Sequence, residues 1–566
     1  MTFRLPSGSF WKSQSMRSRQ VWLVAILASA FLLRISGNLY DRGNGFHPDE
    51  HHFLHRALTM MAEGTLNPAY FQNPPLYTYA ILLGLYGLFG VQLLAGGPGS
   101  PAAFVTALPP PVAFGLARGL SALAGTAICL LLYAIGRRIG GPLAGHLAAL
   151  FAAVAFLSVR DAHFATNDIP MVFLVTLTFH FAVRFLEEGR TRDLILGGLT
   201  AGLAAATKYN GALALLPLLL LACGWGQMGQ PEGARPGRAA QVGRQGLVVL
   251  LLALGGFLLA NPYALLDPSA FLAGLAGQYE LRGKMWRGQS AAPVPLLALQ
   301  GLSVELGWPL LLFIPLAAAY CIARGGRMRK AVLLALCIVA PLVLYHASQA
   351  LFFARFLLPA TPFLALVSAW GLVALGEAPW APWARRPVLL GAVVVLLLAS
   401  PLARSAYLAV LLQRPDTRLL AQAYLERVAP VGSVVVLEGS NFYPTYTPPL
   451  EAGRYQVFNL SSDPSLLHPA GDPADFYLFS SFVMGRVPGI LEAEERSLIA
   501  ALERFGFARI SFSPLRDGGE LPFEPDQVYL PYCHLFRYER PGPKIVIFAR
   551  PGAQLPVPSG GFQREG

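Results

Sequence analysis

Residues 74–96 read PPLYTYAILLGLYGLFGVQLLAG, and the role given to this apolar run decides the fold. A membrane-spanning helix needs about 20 mostly apolar residues. Segment 76–96 meets that requirement, and so do eleven others, near 21–37, 112–135, 143–160, 169–186, 192–207, 210–224, 246–262, 297–321, 331–347, 352–373 and 386–406. If all twelve cross and the basic start (Arg4, Lys12, Arg17, Arg19) stays inside, then Arg137 and Arg138 fall outside and every later basic loop is inverted. If 76–96 instead lies in, or re-enters, the outer interface, the conflict disappears. The N-terminus, Arg137/Arg138, Arg190/Arg192, Arg235/Arg238/Arg244, Arg324/Arg327/Arg329/Lys330 and Arg385/Arg386 then all fall inside. The segment suits that role, because Pro74-Pro75 opens it and Gly84, Gly87 and Gly90 interrupt it. The expected fold is therefore an all-α polytopic membrane bundle of about eleven transmembrane helices, with the N-terminus cytoplasmic.

The rest of the composition agrees. Of 566 residues, 54% are hydrophobic and only 13% charged, with a mean hydropathy of +0.50. A soluble chain carries roughly a quarter charged residues. The net charge of +12 sits in short clusters between apolar segments and not in one patch, which argues against nucleic acid. The five cysteines form no CxxC pair and read as small buried hydrophobes. Ala28-Ser29-Ala30 mimics a signal-peptidase site, but the apolar run continues through it, so 21–37 reads as an uncleaved first helix.

Residues 1–20 form a cytoplasmic basic tail and 21–406 the transmembrane part. Long outer loops lie at 38–111 and 262–295, the second carrying Tyr279, Glu280, Arg282, Lys284, Trp286 and Arg287. Past about Ala406 the pattern changes. Amphipathic helices are expected at 416–428 and 492–505, and strands at 433–437, 475–482, 509–512 and 544–548. Residues 407–566 thus read as an extracytoplasmic soluble α/β domain.

With this topology the ionisable residues beside apolar segments gather on one face. They are Asp49 and Glu50 after the first helix, Asp168 in 163–170, Lys208 in 207–211 and Arg355 in 355–359. A charge at membrane depth costs several kcal/mol unless paired or wetted, so such residues mark function by default. Carboxylates accept or orient a proton, and Lys208 and Arg355 suit a phosphate. Plainer readings exist for each. Asp49 and Glu50 favour a helix N-terminus, Asp168 suits an N-cap, and Lys208 and Arg355 can snorkel. Arg34 and Arg118 read as structural. His51 and His55 share a helix face, a weak signal for metal binding.

The ordered set His47-Pro48-Asp49-Glu50, Asn73-Pro74-Pro75-Leu76, 117–123, Gly136-Arg137-Arg138, 163–170, Thr207-Lys208 and 355–359 resembles the bacterial branch of the protein O-mannosyltransferase and aminoarabinose transferase superfamily, with the GT-C fold. The resemblance covers roughly 20–375. It implies an inverting membrane glycosyltransferase, a hexosyl- or pentosyltransferase, that takes a sugar from a polyisoprenyl-phosphate donor. The acceptor would be an extracytoplasmic glycan, lipid or protein. Asp49, Glu50 and Asp168 would be the catalytic acids, with Asp49 acting on the acceptor and Asp168 assisting. Lys208 and Arg355 would face the donor phosphate, with no metal and no cofactor. A polymerase or ligase of lipid-linked glycans is the nearest alternative. A secondary transporter would show repeated halves and charges at the midplane, and neither is visible.

Overall fold

The computed structural model describes residues 16–225, 238–285, 289, 292–379, 381, 386–438, 445–451, 453–460, 474–484, 490–551 and 563–564. Arg4, Lys12, Arg235, Trp286, Arg287 and Arg385 lie outside the described residues.

The chain opens with α1 (Met16–Ile35), followed by α2 (Glu50–Glu63), α3 (Leu76–Leu94) and α4 (Pro101–Ala107). Next comes α5 (Pro110–Val154), which is a hairpin and not one rod. Gly141, followed by Pro142, has φ +82 and breaks the helical path. An ideal Cβ on Gly136 would lie 2.8 Å from the Ala144 carbonyl oxygen. On a straight helix residues eight apart are about 12 Å distant, so the second limb doubles back. It runs beside α1, where His146 Nε2 meets the Arg19 carbonyl (3.0 Å) and Arg34 donates to the carbonyls of Ala152 and Ala153 (2.9 Å each). Arg34 thereby satisfies the open carbonyl end of that limb.

The bundle continues through α6 (Phe156–Asp161), α7 (Asp168–Glu188), α8 (Thr191–Thr207), α9 (Leu215–Ala222), α10 (Arg238–Ala260) and α11 (Pro268–Arg282). It is completed by α12 (Val294–Leu306), α13 (Trp308–Arg324), α14 (Gly326–Ala347), α15 (Thr361–Gly376) and α16 (Pro387–Leu411). α12 and α13 meet at 101°. Each of the eleven segments assigned to the bundle from sequence overlaps at least one of these helices, with 210–224 and 352–373 beginning outside them. By length and composition, eight described helices are long and apolar enough to cross a membrane, or nine if the α12–α13 pair is one span.

α3 is among those eight, but it packs apart from the bundle core. Its Tyr77, Ile81, Leu82 and Leu85 join Phe53, Leu54, Met60 and Met61 of α2, Phe104 of α4 and Ala113, Phe114 and Ala117 of α5 in a separate core. Tyr77 donates to the Ala117 carbonyl (2.8 Å), Gly84 faces Leu116, and Phe89 meets Phe104 at 5.6 Å. These contacts with α5 lie in its first turns.

Ion pairs mark the far end of the bundle. Arg138 pairs with Glu187 (3.1 Å) and Glu188 (2.8 Å), Arg190 with Glu188 (2.7 Å), Arg327 with Glu187 (3.4 Å), and Arg324 with Glu377. The opposite end carries Asp49, Asp168, Lys208 and Arg355, and there the chain leaves α16 for a mixed sheet.

The strand order is β2-β1-β3-β5-β4-β6, for β1 (Val434–Leu437), β2 (Gln456–Asn459), β3 (Phe476–Ser480), β4 (Ala508–Phe512), β5 (Ile545–Ala549) and β6 (Gln563–Arg564). β1 pairs in parallel with β2 and β3; β5 is antiparallel to β3 and β4. Alternate residues serve two faces. Val435, Leu437, Phe476, Leu478, Ile545 and Ile547 pack on Tyr424 and Leu425 of α17 (Thr417–Val428). Val436, Tyr477, Phe479, Val546 and Phe548 pack on Leu498 and Leu502 of α18 (Ile490–Arg504). β2 was not foreseen, because its side chains are exposed along an edge and lack that alternation.

Candidate active site

Asp49 and Asp168 both stand where a helix starts, the positions at which a carboxylate ordinarily caps. Neither caps. Asp49 is the N-cap of α2 without a side-chain cap bond, and the N-cap of α7 is Asn167, also without one. Instead Arg355 Nη1 donates to Asp49 Oδ2 at 2.7 Å, and Lys208 Nζ to Asp168 Oδ1 at 2.6 Å. The structure thus brings four of the five residues singled out from sequence into two ion pairs. The pairs adjoin one another. Lys208 Nζ lies 5.6 Å from the ring of Phe356, next to Arg355, and Asp168 and Asp161 are within electrostatic reach of Arg355.

Local structure explains both placements. Lys208 sits at an extended break (φ −154, ψ 134) between α8 and the 3-10 turn Tyr209–Ala214, which carries its side chain out of the helix line. Arg355 starts the 3-10 turn Ala354–Ala360. Asn167 donates to Asn73 (3.2 Å) and to the Thr207 carbonyl (2.7 Å), and Tyr209 donates to the Phe71 carbonyl (2.7 Å). These bonds tie the loop before α3 to the Lys208–Asp168 pair.

The fifth residue, Glu50, requires a correction. It is fully buried, and its two oxygens accept from Arg118 Nε and Nη2 (2.7 Å each), with Oε1 also accepting from the Ala165 amide (2.8 Å). Arg118 also donates to both oxygens of Asp41 (2.8 and 2.6 Å) and to the Asn38 carbonyl (2.6 Å). A substrate has no access to such a carboxylate. Glu50 serves as scaffold, anchoring α2 beside the 163–168 loop.

The four paired side chains differ in exposure: Asp49 34%, Lys208 16%, Arg355 10% and Asp168 4%. Asp49 is thus the acid that a solvent-borne group can reach. Burial opposes its charge, but the Arg355 guanidinium outweighs that and holds its carboxyl well below the usual range. Burial keeps His47 neutral, its pKa well below the usual value. It also pushes Asp161 up to about 6, opposed by Arg160 and reinforced by the charge of Asp168.

Several residues around the pairs were not read from sequence. Arg160 Nε donates to Asp161 (3.0 Å) and Nη2 to Asp526 (3.4 Å). His47 stacks on Tyr529 (centroids 4.5 Å) and meets Phe164 at a tilt (4.3 Å), and the Arg355 guanidinium lies 4.5 Å from the Tyr529 centroid. Arg160 and Asp161 directly precede the 163–170 motif, so adjacency was an available signal; for Asp526 and Tyr529 there was none. Arg355 Nε and Arg160 Nη1 are buried donors without a hydrogen-bond partner among the described residues. Among those residues no three His, Cys, Asp or Glu are grouped to hold a metal. His51 meets His55 at 3.3 Å and the Gly45 carbonyl at 2.8 Å.

Known proteins give a consistent picture of the fold. The family described as dolichyl-phosphate-mannose-protein mannosyltransferase matches residues 111–228, which include Arg118, Asp168 and Lys208. ArnT from Cupriavidus metallidurans in the apo state aligns with a TM-score of 0.52 at 16% identity, over 96% of this chain and 100% of ArnT. ArnT bound to undecaprenyl phosphate aligns with a TM-score of 0.50 at 15% identity over the same shares. No curated protein matches the chain by sequence. The fold is the GT-C fold with a C-terminal sheet region, and the resemblance carried by the ordered motifs is borne out.

Proposed function

We propose that the chain is a membrane glycosyltransferase that moves a sugar from a polyisoprenyl-phosphate donor to an extracytoplasmic acceptor, with inversion. The observation that carries this reading is the pair of cations, each held on a carboxylate, with Arg355 Nε buried and unpartnered. Buried donors in folded proteins are nearly always satisfied, and an orphan calls for an acceptor. A phosphate supplies several acceptors at the geometry that an arginine fork matches.

At rest the cations neutralise the acids. A lipid phosphate entering between Lys208 and Arg355 draws both cations onto its oxygens and releases Asp49. Asp49 then accepts the acceptor's proton as its oxygen attacks the anomeric carbon. The bond from that carbon to the phosphate oxygen breaks, and the released polyisoprenyl phosphate carries its charge onto Lys208 and Arg355. Asp168, with little exposure, holds Lys208 in place and assists.

The same reading sets the topology. The N-terminus and the end marked by Arg138, Arg190, Arg324 and Arg327 are cytoplasmic. The site and a soluble region at 407–566 are extracytoplasmic, above a transmembrane domain at 21–406. Grouping of those arginines at one end agrees with the positive-inside rule.

The test is a transfer assay with defined polyprenyl-phosphate sugars, comparing wild type with Asp49→Asn and Asp168→Asn. Both variants are expected to lose about a hundredfold or more of the rate. Transfer by both at the wild-type rate would sink the reading.

A further inference from the structure

The segment Pro525–Tyr532 projects from the sheet region into the bundle end, and its contacts converge on Arg355. Asp526 Oδ2 accepts from the Ala354 amide at 3.0 Å, fixing the residue before Arg355 at the start of its 3-10 turn. Asp526 Oδ1 takes Arg160 at 3.4 Å, which binds the same segment to α6. Tyr529, only 4% exposed, lies 4.5 Å under the Arg355 guanidinium and stacks on His47, two residues before Asp49. Phe353 closes the other side, 5.7 Å from Tyr529 and 5.0 Å from Arg355. Tyr532 lies 5.6 Å below Arg160.

Among the described residues Arg355 makes a single side-chain hydrogen bond, to Asp49, across which the substrate has to come. A long side chain with one bond loses several rotamers' worth of entropy when it is fixed. Here the aromatic floor supplies that restraint. It attracts the cation by its face and leaves the guanidinium edge free to donate.

We infer that Asp526 and Tyr529 are positioning residues, through which the C-terminal region presets Arg355 for the donor phosphate. The sheet region is then part of the working site and not an appendage. This rests on the donor-phosphate reading of Arg355, and it goes further by naming what holds that arginine.

Undecaprenyl phosphate without a sugar is the probe, and its dissociation constant is measured on the full chain in detergent. Tyr529→Ala is expected to raise that constant about tenfold, the scale of a desolvated cation–π contact, and Tyr529→Phe to restore it. Donor KM in the transfer assay should follow, while acceptor KM stays where it was, a split that general loosening of the fold would not give. Asp526→Asn keeps an oxygen for the Ala354 amide and loses the charge on Arg160; it serves as the second variant if Tyr529→Ala does not fold, with an expected rise of about threefold. Wild-type binding by both Tyr529→Ala and Asp526→Asn overturns the inference and leaves the donor reading standing. A Tyr529→Phe variant as weak as Tyr529→Ala also overturns it, since the phenol and not the ring would then be at work. Failure of the wild type to bind the lipid phosphate overturns both.

Discussion

Asp161 changes its charge state within an accessible pH range. Burial raises its pKa to about 6, with Arg160 opposing and Asp168 reinforcing. A carboxyl raised in the folded state contributes stability that is full below its unfolded value, near 4, and is lost as pH rises through 6. The thermal midpoint of wild type, compared with Asp161→Asn, should therefore fall between pH 4 and pH 6 and run parallel above about 7. A difference that stays constant across that range would contradict the assignment. Asp49 behaves oppositely. Arg355 overrides its burial and keeps it ionised, so it should contribute no acid limb to the rate above pH 4. Charge beside apolar sequence made Asp49, Asp168, Lys208 and Arg355 legible, since few other reasons put an ion there. Tyr529 and Asp526 carried no such mark. They sit in a stretch of mixed polarity, and their partners Arg355 and Arg160 are far away in sequence, so only the folded chain brings them together.

At the scale of elements, the network on Arg118 decides whether α2 stays where Asp49 is useful. All five of its hydrogen bonds go to Asp41, Glu50 and the Asn38 carbonyl in a site without solvent. Arg118→Met would strand two buried carboxylates, at a cost of about 3–5 kcal/mol. Thermal unfolding in detergent should show a large drop, and an unchanged midpoint would mean that the network holds nothing. Charge arithmetic alone puts α3 at the interface, and in the structure α3 packs in a satellite core with α2 and α4. The break at Gly141-Pro142 falls in the gap expected between segments 112–135 and 143–160. Glu50 looked catalytic beside Asp49, yet one helical step turns it from the open face to the buried one. Adjacency in sequence carries no information about facing.

For the whole molecule, the claim is that one end of the bundle, capped by the sheet region, faces outward. A single cysteine placed at Ser100 should react with an impermeant reagent from the same side as one at Gly518, and from the side opposite to one at Arg190. Labelling of Ser100 and of a cysteine at Glu63, before α3, from opposite sides would instead make α3 a crossing. The helices and most strands were legible because period and composition are local. The docking of 525–533 onto the bundle depends on contacts hundreds of residues apart.

The central claim is that Asp49 performs chemistry while competing with the donor phosphate for Arg355. The direct measurement is undecaprenyl-phosphate binding and sugar transfer on the same Asp49→Asn preparation. The account predicts lipid-phosphate binding at least as tight as wild type, because the competing carboxylate is gone, with transfer reduced about a hundredfold or more. Transfer at the wild-type rate, or binding lost together with transfer, would contradict it.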